Sequence, residues 1–251
     1  MSQKLGKHTP YYELVEAQGL AGCPICRLAR KATDRYLDSI LYEAVLDPAV
    51  RTKLKASRGF CAEHIEMLRR KPGRALGVAL IYRDILRVLA EVLEKGRYRS
   101  GHRFWGRRGG GGGAAMAEEL KADEPCPACA IGRETERDHV ELLLAHLGDD
   151  ELYKAYSGGE GLCLVHFVQA LEAVDGEETF QRLVQPQLAR YRVMLADLDE
   201  FIRKRDYRFR KEEYGQEGDV WLRVMNAVVG GAGMGLSAKA GGRRSPDIFE
   251  S

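Results

Sequence analysis

Apolar residues recur at helical spacing along most of the chain. In "RLARKATDRYLDSILYEAVL" after Cys26, the residues Leu28, Tyr36, Leu37, Ile40, Leu41 and Val45 fall near one face. Asp47-Pro48 interrupts that pattern, a short helix to about Ala56 follows, and Arg58-Gly59 ends it. "CAEHIEMLRR" opens another helical stretch, and Pro72 is placed for the first turn of a long helix over 72–96. The same order returns later, predicting helices near 128–147, 149–156, 162–174 and 177–206. In "EGDVWLRVMNAVVGG" (217–231), Val220, Trp221, Val224, Met225, Val228 and Val229 form one stripe. Such a stripe docks on its own bundle or offers itself to a partner. No segment shows sustained strand alternation, so the expected class is all-α.

The recurrence is an internal duplication. "CPIC" at 23–26 precedes "GFCAEH" at 59–64; "CPAC" at 126–129 precedes "GLCLVH" at 161–166. Cys26 and Cys61 stand 35 residues apart, Cys129 and Cys163 34. Downstream, "YRDILRVLAEVLEKGRYR" (82–99) aligns without a gap on "YRVMLADLDEFIRKRDYR" (191–208), with identities that include Tyr82/Tyr191, Leu86/Leu195 and Arg99/Arg208. Each half reads as knuckle, helix, second knuckle, long helix. The expected organisation is a first repeat over 11–99, a basic and glycine-rich linker over 100–118 and a second repeat over 119–211. A C-terminal amphipathic helix over 212–230 and a disordered tail over 231–251 follow. Five consecutive glycines in "GRRGGGGGAAMAEE" make the linker reading.

Composition narrows the chemistry. A chain of 251 residues is long enough for one large or two small cores, and a net charge of +2 names no partner. No stretch is long and apolar enough to span a membrane. "MSQKLGKHTPYYELVEAQ" has no hydrophobic run, so no signal peptide is read and a cytoplasmic, reducing location is expected. Structural disulfides are disfavoured in that setting. All six cysteines fall inside the repeated motifs, a usage that points to ligation.

In C-x-x-C a tight turn brings two thiolates to one ion; in C-x-x-H at a helix start, residues i and i+3 share a face. Glycines Gly59 and Gly161 allow a sharp approach. Reading each half as self-contained, Cys23, Cys26, Cys61 and His64 make one four-ligand site, and Cys126, Cys129, Cys163 and His166 make the second. Soft sulfur with imidazole in sets of four points to zinc, two ions per chain, with an iron–sulfur cluster and disulfide switching as minor alternatives. Halves joined by glycines should then keep their metals independently. A four-ligand zinc has no open position, so the expected role is structural and no catalytic residue is assigned.

The sequence also carries one catalytic lookalike. "HIE" at 64–66 with "PCPAC" at 125–129 imitates the nucleoside-deaminase pattern. The interval crosses the linker, the second half has "HFV" without a glutamate, and the deaminase sheet is missing from the periodicity. Two basic, aromatic-laced stretches offer a different chemistry. "RYRSGHRFWGRR" contributes Arg97, Arg99, Arg103, Trp105, Arg107 and Arg108; "RKRDYRFRK" contributes Arg203, Arg205, Arg208 and Arg210. They suit nucleic acid or an acidic protein partner. They equally suit solvated helix ends, where cations favour the dipole.

The twice-used CPxC and G-[FL]-C-x-x-H, followed by "DYRFRKEE" and a Trp-containing helix, resemble an uncharacterised bacterial family classed as a domain of unknown function, over about 11–230. That resemblance implies the architecture and no reaction. Three function classes remain: a zinc-stabilised binding or regulatory module that contacts nucleic acid or an acidic partner, a thiol-based redox sensor or redox-regulated chaperone that releases zinc on oxidation, and an enzyme with a site between the halves.

Overall fold

The computed structural model describes residues 8–97, 113–209 and 211–231. Among them it is helical throughout, with eleven α-helices, two 3-10 turns and no strand. In chain order the helices are α1 (Thr9–Gln18), α2 (Pro24–Tyr42), α3 (Pro48–Ala56), α4 (Ala62–Arg69), α5 (Ala75–Lys95) and α6 (Ala114–Leu120). They continue as α7 (Pro127–His146), α8 (Asp150–Gly158), α9 (Leu164–Ala173), α10 (Glu177–Arg205) and α11 (Val220–Val229). Helix α1 was not singled out by the periodicity. Helix α6 begins within the stretch expected as linker, whose residues 100–112 lie outside the described ones, as do 98 and 99 before it. So does the expected tail, apart from Gly231.

The chain forms two compact units, and they cut across the repeats. One holds the residues up to Lys31 together with those from Glu134 onward; the other is Ala32–Arg133. Helices α2 and α7 therefore each begin in one unit and end in the other. Their length is the cause: the 19 residues of α2 extend for about 28 Å at 1.5 Å per residue, enough to carry the chain out of one core and into another.

In the first unit, Tyr11 and Leu14 of α1, Ile25 and Leu28 at the start of α2, Leu143 of α7 and Leu147 just past its end, Leu152 and Tyr156 of α8 and Leu183 of α10 share one core. Burial of each such side chain contributes roughly 1.5–3 kcal/mol. Tyr156 is fully buried, and its hydroxyl donates to the Leu183 carbonyl at 2.9 Å, satisfying the polar tip. Helix α11 packs on α9 and α10. It docks Val220 completely and leaves Met225, Val228 and Val229 exposed.

The second unit's core joins Leu37, Ile40 and Leu41 from the far end of α2 with Leu54, Phe60, Leu68, Ile81 and Ile85. Helix α3 starts on an Asp47 cap whose carboxylate accepts from the Ala49 and Val50 N–H groups at 2.8 and 2.9 Å. Arg58 ends the segment in the left-handed region at φ 53. Its guanidinium donates to the carbonyls of Lys55 at 2.8 Å and Glu119 at 2.7 Å, tying α6 to the end of α3.

Candidate metal centres

Four helices start on ligand-bearing turns. Cys61 and Cys163 are the N-caps of α4 and α9, both extended at ψ 168 and 163. Cys23 and Cys126 directly precede the proline that opens α2 and α7. In every case the second ligand, His64, His166, Cys26 or Cys129, follows three positions later and so lies on the same face of the first turn. The positive end of each helix favours the thiolate form of its cysteines.

The pairs of turns meet across the repeats. Cys23, Cys26, Cys163 and His166 gather in the first unit, and Cys61, His64, Cys126 and Cys129 in the second. This corrects the sequence grouping, which joined Cys23 and Cys26 to Cys61 and His64, and Cys126 and Cys129 to Cys163 and His166. The reason lies in α2. Phe60, next to Cys61, packs with Leu37, Ile40 and Leu41 near its C-terminal end, whereas Cys26 sits at its beginning. The 11 to 15 positions of helix from Cys26 to Leu37 and Leu41 rise about 16–22 Å, more than the few ångströms that one metal site spans.

The donor atoms in each set lie within 4.8 Å of one another. For a tetrahedral zinc, sulfur at about 2.3 Å and nitrogen at about 2.0 Å give S–S edges of about 3.8 Å and S–N edges of about 3.5 Å. In the first centre Cys26 Sγ and Cys163 Sγ are 3.8 Å apart. His166 Nδ1 stands 3.5, 3.4 and 3.1 Å from Cys23, Cys26 and Cys163. In the second, Cys61 Sγ and Cys129 Sγ are 3.6 Å apart. His64 Nδ1 stands 3.1, 3.5 and 3.5 Å from Cys61, Cys126 and Cys129. All six cysteines are free thiols.

Electrostatics separate the centres in their metal-free form. Sharing a proton with Cys163, and also with Cys23, pushes the Cys26 thiol far up, while the hydrogen bonds from Cys23 and Cys26 pull Cys163 down. Burial works against a charge on His166, but its bonds to Cys163 and Cys23 and the nearby Glu136 outweigh it and lift the imidazole to about 11. In the second centre burial dominates at His64 and lowers it, against the pull of Glu63. Burial, with the neighbouring thiol of Cys61, pushes Cys129 up to about 12. Burial would also raise Cys126, but the backbone N–H groups of Cys61, Cys129 and Ala128 bring it below its ordinary value.

Each second knuckle is braced from the long helix that follows it. Phe60 N–H donates to Tyr82 Oη at 3.3 Å. At the corresponding place in the second repeat, Leu162 N–H donates to Gln187 Oε1 at 3.2 Å and Gln187 Nε2 returns a bond to the Leu162 carbonyl at 2.9 Å. These braces explain the glycines. Gly59 has φ 91 and a Cβ there would stand 2.9 Å from Tyr82 Oη; Gly161 has φ 75 and a Cβ would stand 2.5 Å from Gln187 Oε1. Sequence reasoning found the glycines and missed Tyr82 and Gln187.

It also missed the cover over the first centre. Gly231 N–H donates to Cys26 Sγ at 3.3 Å, and a Cβ on Gly230 would approach Cys163 Sγ and Cys26 Sγ at 3.3 and 3.4 Å. Behind His166, Glu136 Oε1 stands 3.6 Å from Nε2. The only early signal was a Gly-Gly pair straight after an amphipathic helix, which was read as the start of the tail.

The basic stretches divide. Arg99, Arg103, Trp105, Arg107, Arg108 and Arg210 lie outside the described residues. Arg97 donates to the carbonyls of Glu94 and Gly96 at its own helix end. Arg203 pairs with Glu200 and Glu212, Arg205 lies over the rings of Phe201 and Tyr214, and Arg208 pairs with Asp206 at 2.7 Å. These four serve the end of α5 and the end of α10.

Among the described residues no helix is long and apolar enough to cross a membrane. No solved structure matches the chain. The "Uncharacterized 23.9 kDa protein in xynA 3'region" of Caldicellulosiruptor sp. (strain Rt8B.4) is 37% identical over 65 residues, which are 26% of this chain and 31% of that protein. The chain thus spans about a third of that relative's length. Residues 5–108, the first repeat and the basic stretch after it, match the model of a family described as "Family of unknown function (DUF6062)".

Proposed function

We propose that this protein is a non-catalytic helical module organised by two structural zinc ions, one per crossed centre, that acts by binding or regulation. The carrying observation is the donor geometry: three sulfurs and one imidazole nitrogen near the corners of a zinc-sized tetrahedron, twice. Four protein donors leave no coordination position for a substrate or water, which argues against metal catalysis at either centre. Bound zinc would supply folding free energy on the order of 10 kcal/mol per site at neutral pH. Its binding would displace the protons that Cys26 and Cys129 hold without metal, and the helix N-termini would favour the thiolates so formed.

Elemental analysis of the purified protein tests this reading. Two zinc ions per chain are expected. One zinc, or iron with visible absorbance, overturns it. Contact of nucleic acid or an acidic protein through 97–108 and 203–211 remains a separate proposal; the internal pairing of Arg97, Arg203, Arg205 and Arg208 gives it no support.

A further inference from the structure

The two centres share ligands and geometry but differ in what shields them. In the first, Cys23, Cys163 and His166 are each no more than 3% exposed. The half-buried Cys26 is covered by Gly230 and holds the Gly231 N–H, and Glu136 stands behind the imidazole. In the second only His64 is buried, and Cys61, Cys126 and Cys129 are all half-buried like Cys26. The N–H groups of Cys61, Cys129 and Ala128, all in the ligand turns, face Cys126. Among the described residues no carboxylate reaches ion-pair distance of His64.

Thiolate oxidation follows access and thiolate character, and a resolving thiol close by directs it to a disulfide. Cys61 Sγ and Cys129 Sγ are 3.6 Å apart and come from different turns, α4 and α7, so joining them draws together two helix starts.

We infer that the second centre is a peroxide-sensitive zinc site, in which Cys61 and Cys129 form a disulfide and release the ion while the first centre keeps its own. This rests on the zinc reading above. One thiolate attacks a peroxide oxygen, the O–O bond breaks, and a sulfenic acid forms with release of hydroxide. The second thiolate displaces the sulfenic hydroxyl as hydroxide and closes the S–S bond. Two thiolates give up two electrons, one hydrogen peroxide takes them, and the zinc ion leaves a site that has lost two of its four donors. A dithiol reductant with zinc restores the centre.

The test uses the full chain loaded with zinc and treated with stoichiometric hydrogen peroxide. Zinc release is followed with a chromophoric chelator, and trapped thiols are mapped by peptide mass spectrometry. One zinc per chain should leave at least about tenfold faster than the other, in keeping with the effect of outer-sphere partners on metal sites. The new disulfide should join Cys61 to Cys129, and a dithiol with zinc should reverse it. Release of both ions together, earlier release from the first centre, no release, or one ion lost without that disulfide overturns the inference. A protein purified without zinc would instead overturn the zinc reading, so the two failures are distinguishable. Because Cys129→Ser loses the second centre outright, the deciding variant is Glu136→Gln. It should speed release from the first centre and leave the Cys61–Cys129 step unchanged.

Discussion

The first and second centres are two copies of one device, set into different surroundings. Both bring together a CPxC turn from one repeat and a CxxH turn from the other. Both brace the residue before the CxxH cysteine from the long helix downstream, Leu162 by Gln187 in one and Phe60 by Tyr82 in the other. The first is then overlaid by Gly230 and Gly231 just past α11 and backed by Glu136; among the described residues the second receives neither. Duplication therefore fixed the ligands, while the braces come from positions that do not align, Tyr82 pairing with Tyr191 and not with Gln187, and the shielding comes from Glu136 on α7 and the segment after α11.

The largest effect expected from breaking this comparison is a change in metal count. Cys26→Ser combined with Cys163→Ser removes one zinc, because both ligands serve one centre. Cys26→Ser combined with Cys61→Ser removes two. Elemental analysis giving the opposite pattern would restore the sequential grouping of the ligands.

Next come the glycines. Gly161→Ala meets the Gln187 amide and the Arg190 guanidinium at a positive φ and should cost about 2–4 kcal/mol, by strain and overpacking together. Gly59→Ala meets the hydroxyl and ring edge of Tyr82 at 2.9–3.1 Å, less tightly than at Gly161, and should cost less, about 1–3 kcal/mol. Thermal unfolding of the zinc-loaded variants measures both, and equal losses would remove the distinction between the two braces.

A smaller difference is expected at the outer sphere. Glu136→Gln should weaken zinc at the first centre by about tenfold and leave the second untouched. Chelator competition resolves the two ions, and a loss at both centres would mean that Glu136 acts through the fold instead.

The smallest is the brace hydroxyl. Tyr82→Phe leaves the Phe60 N–H without its acceptor and should cost about 1 kcal/mol, confined to the second unit. Hydrogen exchange at Phe60 against that at Leu162 reads it directly.

Much of this was legible in the sequence. The helix pattern, the eight ligands and the two knuckle types follow from i, i+3 spacing and apolar period, which are local properties of a helix start. Which turn meets which is not local, and proximity along the chain misled. The needed signal was present in "RLARKATDRYLDSILYEAVL": a helix that long removes Cys61 from Cys26 by more than a metal site spans. Tyr82, Gln187 and Glu136 were not legible, because a side chain that serves a ligand through one hydrogen bond or one ion pair leaves no periodic trace. Gly231 was misread because a glycine that donates its N–H to sulfur looks like any glycine in a loose tail.

The crossed ligand sets also put the two centres on a schedule. Cys26 and Cys163 are separated by 137 positions, and the 68 positions from Cys61 to Cys129 lie wholly inside that span. On a ribosome adding about 5–20 residues per second, the inner loop is complete first, while Cys23 and Cys26 wait on the order of 10 s for their partners to emerge. During that interval two reactive thiols stand at the start of a helix with no ion to share, and the part of the protein made earliest is among the last to be closed.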